Sequence, residues 1–560
     1  MDGKNIEVNS IWRKYEEARD YIYKKGLVSR TDKFWNFYLG DQWIGLKRGG
    51  EELPTMNIIK PLVKFKVSTI SQNALTANFS DADPERAEKY RDVYAELNRR
   101  FALSWEKAKM TDVAWKNNKA AAVQGDSYVY FGSSDTNEAP QVIGNTSILF
   151  ADENETDIQA QAYIIIRERL DIKKVREMAK ENGVSQEEID MIGTDSETTD
   201  EIYNKDEVKD KVTSLLYLTK INGVVNFAKA TKACIYVPLH PLDVKQNGQT
   251  IGGMTSYPLV SMIWEPKPNS ARGLGEVEML IPNQLEINKT LARRAVAVKL
   301  GAYPRIAYDA SAVENPEDLD KVGKAIGVTT GNAQSVSQAI SYLNATNISS
   351  DADALFRDLL QLTRELSGAG DNSLGNINPE RASGQAIIAV RDQAQVPLNE
   401  QINAYRQWVE RVALLWFDIW STYEPDSFIV NEPVTVTNEL SGLDTDSTRE
   451  RTLSYEELMA LKPTVHIDVS EDNRWTKLSE QQSADNLLDK QHITFEEWAE
   501  LCADNGPIPK AKILKIVQER KMQQEAMAAQ QLADQNMEFN QSLPEEMPEG
   551  EGEIPPLPVT

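Results

Sequence analysis

Ser350-Asp-Ala-Asp-Ala-Leu-Phe-Arg-Asp-Leu-Leu-Gln-Leu-Thr-Arg-Glu-Leu-Ser367, followed by Gly368-Ala-Gly-Asp-Asn-Ser-Leu-Gly-Asn-Ile-Asn378 and Pro379, is the stretch whose reading decides the fold. Leu355, Leu359, Leu362 and Leu366 recur three or four residues apart, which predicts one helical stripe. Ser350 reads as the N-cap, Asp353 as a first-turn acid and Gly368 as the stop. Glycine and asparagine then exclude any regular element up to Asn378. Asn378-Pro379 restarts a helix that meets no strong stop before Tyr423-Glu-Pro425. Such a helix would run about 65 Å. Pro397 falls inside it and should kink it, because proline removes a backbone donor and crowds the preceding turn.

A second long helix is predicted upstream. Leu280, Ile287, Leu291, Ala295 and Val298 share one face of a run from Glu276 to Leu300. Arg293, Arg294 and Lys299 crowd its last turns, where the helix dipole favours cations. Between the two helices lies a module of short strands at Arg305–Tyr308, 326–329 and Ile340–Leu343, with a turn at Asn315-Pro316. So small a piece must pack on a neighbour.

Working outward, residues 11–38 read as helical and aromatic, and 56–80 as a further helix. Residues 84–118 read as a helix pair with Phe101, Trp105 and Trp115 on its apolar face. From Gly125 the character turns to β, with strands at Ser127–Phe131, 141–143, 147–150, 162–167, 215–218, 224–228 and 233–237. Asp171 opens a small helix, and 190–210 is an acidic exposed insertion. Strand pieces at 428–430, 434–437 and 465–469 follow the long helix. Helices are expected at 480–489, 494–503 and 508–536, before a Pro/Glu-rich tail. The fold class is α+β and predominantly helical.

The chain has 560 residues, 41% of them hydrophobic, enough for several domains with real cores. Cys234 and Cys502 lie too far apart for a metal-ligand spacing, which argues against a disulfide scaffold. No apolar run approaches a membrane span and no secretory pattern opens the chain, so a soluble, intracellular protein is expected. The formal charge of −25 excludes a protein that grips nucleic acid through a basic surface. It leaves open either an ordinary acidic protein or a surface that sits near a polyanion without holding it.

Catalytic signals are sparse. Gly327–Ser335 lacks the lysine of a phosphate loop, and Arg272-Gly273-Leu-Gly275 lacks the third glycine of a dinucleotide motif. His240, His466 and His492 have no partner at ligand spacing. Asp351-Ala-Asp353 and Asp444-Thr-Asp446 lack the glycine and terminal glutamate of a calcium loop. No catalytic residue, metal site or cofactor is expected, and no enzyme activity.

The order of these pieces is more specific than any one motif. Phe37-Tyr38-Leu-Gly-Asp-Gln-Trp43 and Asn57-Ile-Ile-Lys-Pro61 stand near the start. Tyr257-Pro258 leads through Gly273-Leu-Gly275 to Gln284-Leu-Glu-Ile-Asn288, and Arg381-Ala-Ser-Gly384-Gln-Ala386 follows the Gly/Asn-rich loop. In this order the chain resembles the portal (head-to-tail connector) proteins of tailed bacteriophages.

The resemblance implies a ring, commonly dodecameric, at one capsid vertex, through which double-stranded DNA is packaged and ejected. It divides the chain into a wing part (1–270), first stem helix (271–302), clip (303–349), second stem helix (350–367) and tunnel loop (368–378). A long kinked helix with the rest of the wing (379–478), crown helices (479–536) and a disordered tail (537–560) complete it. Leu291, Arg293, Arg294, Leu355, Leu359 and Leu362 would belong to the stem. Asp371, Asn372, Ser373, Leu374, Gly375, Asn376 and Ile377 would reach toward DNA in the channel. Implied partners are further copies of the chain, double-stranded DNA, the large terminase, a head-completion or adaptor protein, the major capsid protein and a scaffolding protein, with no membrane. A non-channel scaffold or adaptor, or an enzyme with an unrecognised site, stays open as an alternative.

Overall fold

The aromatic N-terminal run forms two helices, Val8–Lys24 and Leu27–Leu39, parted at Gly26, whose φ of 69° is left-handed. The computed structural model describes residues 8–44, 53–72, 74–195, 210–246, 249–302, 305–319, 321, 325–329, 336–343, 350–368, 396–437, 444–461 and 463–470, with 486–488, 490, 493 and 498 beyond. The chain forms two compact units, Met1–Ser470 and Glu471–Thr560. Of the second, residues 486–488 and Trp498 are helical, and Trp498 is buried. Most other residues expected in crown helices, and the tail, lie outside the described ones.

A five-stranded antiparallel sheet runs in the order Ile148–Phe150, Tyr163–Asp171, Lys211–Ile221, Val224–Ala230 and Ile235–Pro241. Its side chains alternate between two cores, as strand geometry requires. Leu149, Ile165, Leu215, Tyr217 and Ala228 pack against Ile11, Tyr15 and Ile22 of the first helix. Ile148, Phe150, Ile164, Ile166, Leu216 and Leu218 belong to the main core instead. Lys14 caps the first layer, donating to the Tyr217 hydroxyl at 2.8 Å and lying over the Tyr163 ring.

The main core is organised by two helices, Met110–Gln124 and Asn399–Tyr423. On the second, Trp408, Val409, Val412, Trp416 and Trp420 are buried. Trp416 meets Phe101 with ring centroids 5.2 Å apart, and Trp105 meets Trp408 at 6.2 Å. Near its end, Asp418 Oδ2 accepts from the Thr255 N–H at 3.0 Å, the Thr255 hydroxyl at 3.2 Å and the Ser256 N–H at 2.9 Å. Burial pushes this carboxyl above the usual carboxylate range.

Several expectations are corrected. The helix predicted through Ser80 stops at Ser71, and Ala74–Ser80 is a strand paired antiparallel with Thr464–Ser470. Phe79 is buried there among residues that no local period reveals. Residues 84–124 make three helices, Pro84–Lys89, Arg91–Lys107 and Met110–Gln124, and Trp115 is exposed rather than in the core. The two β pieces after the long helix are one strand, Ile429–Thr437, forming a hairpin with Asp444–Thr452. Pro397 lies in a 3-10 turn, Val396–Leu398, at the head of the helix that starts at Asn399. Residues 379–395, the predicted first part of that helix, lie outside the described residues.

Candidate functional site: a rooted helix pair and its support

Helix Glu276–Ala302 leaves the main core and returns, after the small module, as helix Ser350–Leu366. The two run antiparallel. Arg294 pairs with Asp353 at 3.1 Å and covers the Phe356 ring at 5.3 Å, while Asn283 donates to the Thr363 hydroxyl at 3.1 Å. Thr363 is fully buried and donates to the Leu359 carbonyl at 2.6 Å. The face turned toward the partner helix therefore carries Asp353, Phe356 and Thr363. It is not the leucine stripe read from the sequence. Leu355, Leu362 and Leu366 are 50%, 51% and 78% exposed. Leu359 and Leu291 are intermediate.

Of the basic residues, Arg294 is engaged within the pair, whereas Arg293 is exposed and reaches Glu286 at 3.5 Å, as does Lys289. Such surface pairs contribute little to stability. Between the helices, Arg305–Tyr308 pairs with Ile340–Leu343, Arg305 opposite Leu343 and Tyr308 opposite Ile340. Val313 bridges Val328 where a third strand was expected, and Ala312, Val313 and Ala339 are buried. The loop residues Asp371, Asn372, Ser373, Leu374, Gly375, Asn376 and Ile377 lie outside the described residues.

The lower half of the 276–302 helix is rooted in the body. Val277, Leu280, Ile281 and Ile287 are buried. Two stretches remote in sequence, 37–42 and 56–58, converge on it. Gln284 accepts from the Ile58 N–H at 3.0 Å and donates to the Met56 carbonyl at 2.7 Å. Asn288 accepts from the Met56 N–H at 3.1 Å and donates to Gln42 Oε1 at 2.5 Å, and Gln42 donates to the Phe37 carbonyl at 2.9 Å. Gln284 and Asn288 are fully buried and Gln42 nearly so. Every donor has an acceptor, so these neutral amides sit in the core without an orphaned group. One turn or two earlier, Glu276 meets Lys66 at 2.7 Å.

The Arg272-Gly273-Leu-Gly275 run, weak as a dinucleotide motif, is structural. Arg272 is buried, pairing with Glu153 at 2.7 Å and Asp126 at 3.3 Å and donating to the carbonyls of Asn145 and Ile148. Burial pushes the Asp126 carboxyl up even so. A side chain on Gly125 would meet the Gly273 carbonyl oxygen at 2.5 Å, and one on Gly273 would meet the Gly125 oxygen at 2.3 Å. The backbones at these two positions touch, which only glycine permits.

His240 rests in a sheet-edge strand against Phe227, and His466 lies in strand Thr464–Ser470. His492 is outside the described residues. Among the described residues no cluster of three metal-ligating side chains occurs, and no helix is long and apolar enough to cross a membrane. No curated protein matches the chain. The family model of phage P22-like portal proteins matches residues 13–554.

Proposed function

The chain belongs to the family of phage P22-like portal proteins, and on that premise we propose that it assembles with further copies of itself into a closed ring at one capsid vertex. The observation that carries this reading is the leucine stripe of the 350–366 helix. Leu355, Leu362 and Leu366 stand half or more exposed on a helix whose other face is already occupied. A period of apolar residues with no cover among the described residues asks for cover from elsewhere, and a second copy supplies it in this reading. A head-to-tail contact that closes on itself gives a ring.

The axial opening of that ring is the path for double-stranded DNA, with residues 371–377 reaching toward the duplex. The charge of −25 favours passage over retention, because tight phosphate neutralisation calls for an excess of bases and this chain has an excess of acids. The module between Ala302 and Ser350 is the docking platform for the large terminase during packaging and for a head-completion or adaptor protein afterwards. The major capsid protein and a scaffolding protein meet the ring's outer parts.

Electron microscopy of the purified protein tests the reading. End-on views should show closed rings of dodecameric or similar symmetry with an axial hole. Monomers alone across a range of salt, or filled particles, would overturn it. Deleting residues 372–376 should leave the rings intact and impair DNA packaging or retention.

A further inference from the structure

The 276–302 helix contains Pro282 within its α-helical body. Proline removes the hydrogen bond its N–H would give to the carbonyl of residue 278 and crowds that carbonyl, so the helix is weakest and most easily bent at this turn. This turn lies within the rooted part of the helix, ahead of the stretch where Arg294 pairs with Asp353. Its direction beyond Pro282 is therefore not fixed by its own backbone.

A second helix runs alongside the weak turn. Helix Ile59–Ser71 lies antiparallel to it and is fastened on both sides of the proline. Before Pro282, Glu276 holds Lys66. After it, Gln284 holds the backbone N–H of Ile58, the residue that opens the same helix, and Asn288 holds Met56. Ile58 and Lys66 are as far apart along one helix as Gln284 and Glu276 are along the other, so the two fastenings are in register. Leu62 and Leu280 are both buried between them in sequence. Gln42 braces the outer fastening from a third element through Asn288.

We propose that Lys66, Gln284, Asn288 and Gln42 are positioning residues that splint the helix across Pro282. They set the angle at which the helix pair leaves the body. Resting on the ring reading, that angle fixes how neighbouring copies meet and hence how many close the ring.

The angle can be read without any ring. Spin labels at Val298→Cys and Met191→Cys, both exposed positions, report the distance from the helix pair to the body in a Cys234→Ala, Cys502→Ser background. The parent should give one narrow distance distribution. Gln284→Met should broaden it about twofold, as expected of a proline helix that has lost its brace. Lys66→Met, which leaves the amide fastening whole, should broaden it less, and it is the variant to read if Gln284→Met does not fold. In electron micrographs the same variants should spread over more than one ring size. Distributions that superimpose on the parent's in the folded variants would overturn the splint. A parent that forms no rings but shows these broadenings would sink the ring reading alone.

Discussion

Arg272 reaches Asp126 across 146 residues of sequence, placing a guanidinium 3.3 Å from a carboxylate that is itself almost completely buried. The pair joins the start of the strand Asp126–Tyr130 to the loop that launches the helix Glu276–Ala302. Breaking it from one side leaves Asp126 buried and Glu153 part-buried without a cation. Arg272→Met should therefore cost about 3–5 kcal/mol, measured by urea denaturation. Replacing Asp126 by Leu in the same chain should recover part of that loss, because the buried charge goes with its partner.

Asp418 offers a test with the opposite sign. Its pKa is raised by burial, so the folded chain binds more protons than the unfolded chain between the ordinary value of about 3.9 and the raised one. Stability from this group therefore rises as pH falls through that window and is lowest above it. Asparagine keeps an oxygen to accept the Thr255 and Ser256 bonds and has no charge to desolvate. Asp418→Asn should be neutral or stabilising by about 1 kcal/mol at neutral pH, with the advantage vanishing in acid. Thermal melts of both proteins across pH would check it. A variant clearly less stable at neutral pH would contradict it.

The contact between Gly125 and Gly273 predicts a sharp contrast between glycines. Gly125 has a φ of 105° and faces backbone, so Gly125→Ala should cost about 3 kcal/mol or abolish soluble expression. Gly193 has open space around its Cβ direction, and Gly193→Ala should change stability by less than about 0.5 kcal/mol. Melting temperatures of the two variants decide the matter.

The leucine stripe separates assembly from folding. Leu355→Asp or Leu362→Asp places a charge on a side chain already half in water, so the single chain should melt within about 0.5 kcal/mol of the parent. If copies cover that face, the charge is buried without a partner on association, and rings should be lost. Mass photometry alongside thermal melts gives both readouts. Leu359→Asp and Leu291→Asp should differ by loosening the helix pair itself, since both side chains are partly buried within one chain.

The sequence was most informative where ends and periods are local. Ser350 and Gly368 bracket a helix that runs Ser350–Leu366, and Asp171 caps Ile172–Glu181 by accepting from the Lys173 N–H at 2.8 Å. The apolar face from Leu280 to Val298 is buried at Leu280 and Ile287 but open at Val298. A period records that cover is needed without saying who supplies it. Strand Ala74–Ser80 was illegible because its partner is remote, Ser80 meeting Thr464 across 384 residues. The convergence of Gln42, Met56, Gln284 and Asn288 was illegible for another reason. Uncharged amides carry no spacing signature, and any of them reads equally well as a surface residue. Pro282 leaves no mark on the apolar spacing, which stays in phase on either side of it.

The register between Arg305 and Leu343 has a practical meaning of its own. The chain leaves one helix and enters the other through neighbouring strands, so the two ends of the intervening module emerge side by side. Among the described residues, the bonds of Gln284 and Asn288 that root the helix pair in the body lie outside the module. The module is built as a cassette, attached at two paired ends whatever lies between them. An engineer could graft a foreign hairpin-ended domain at the same two points.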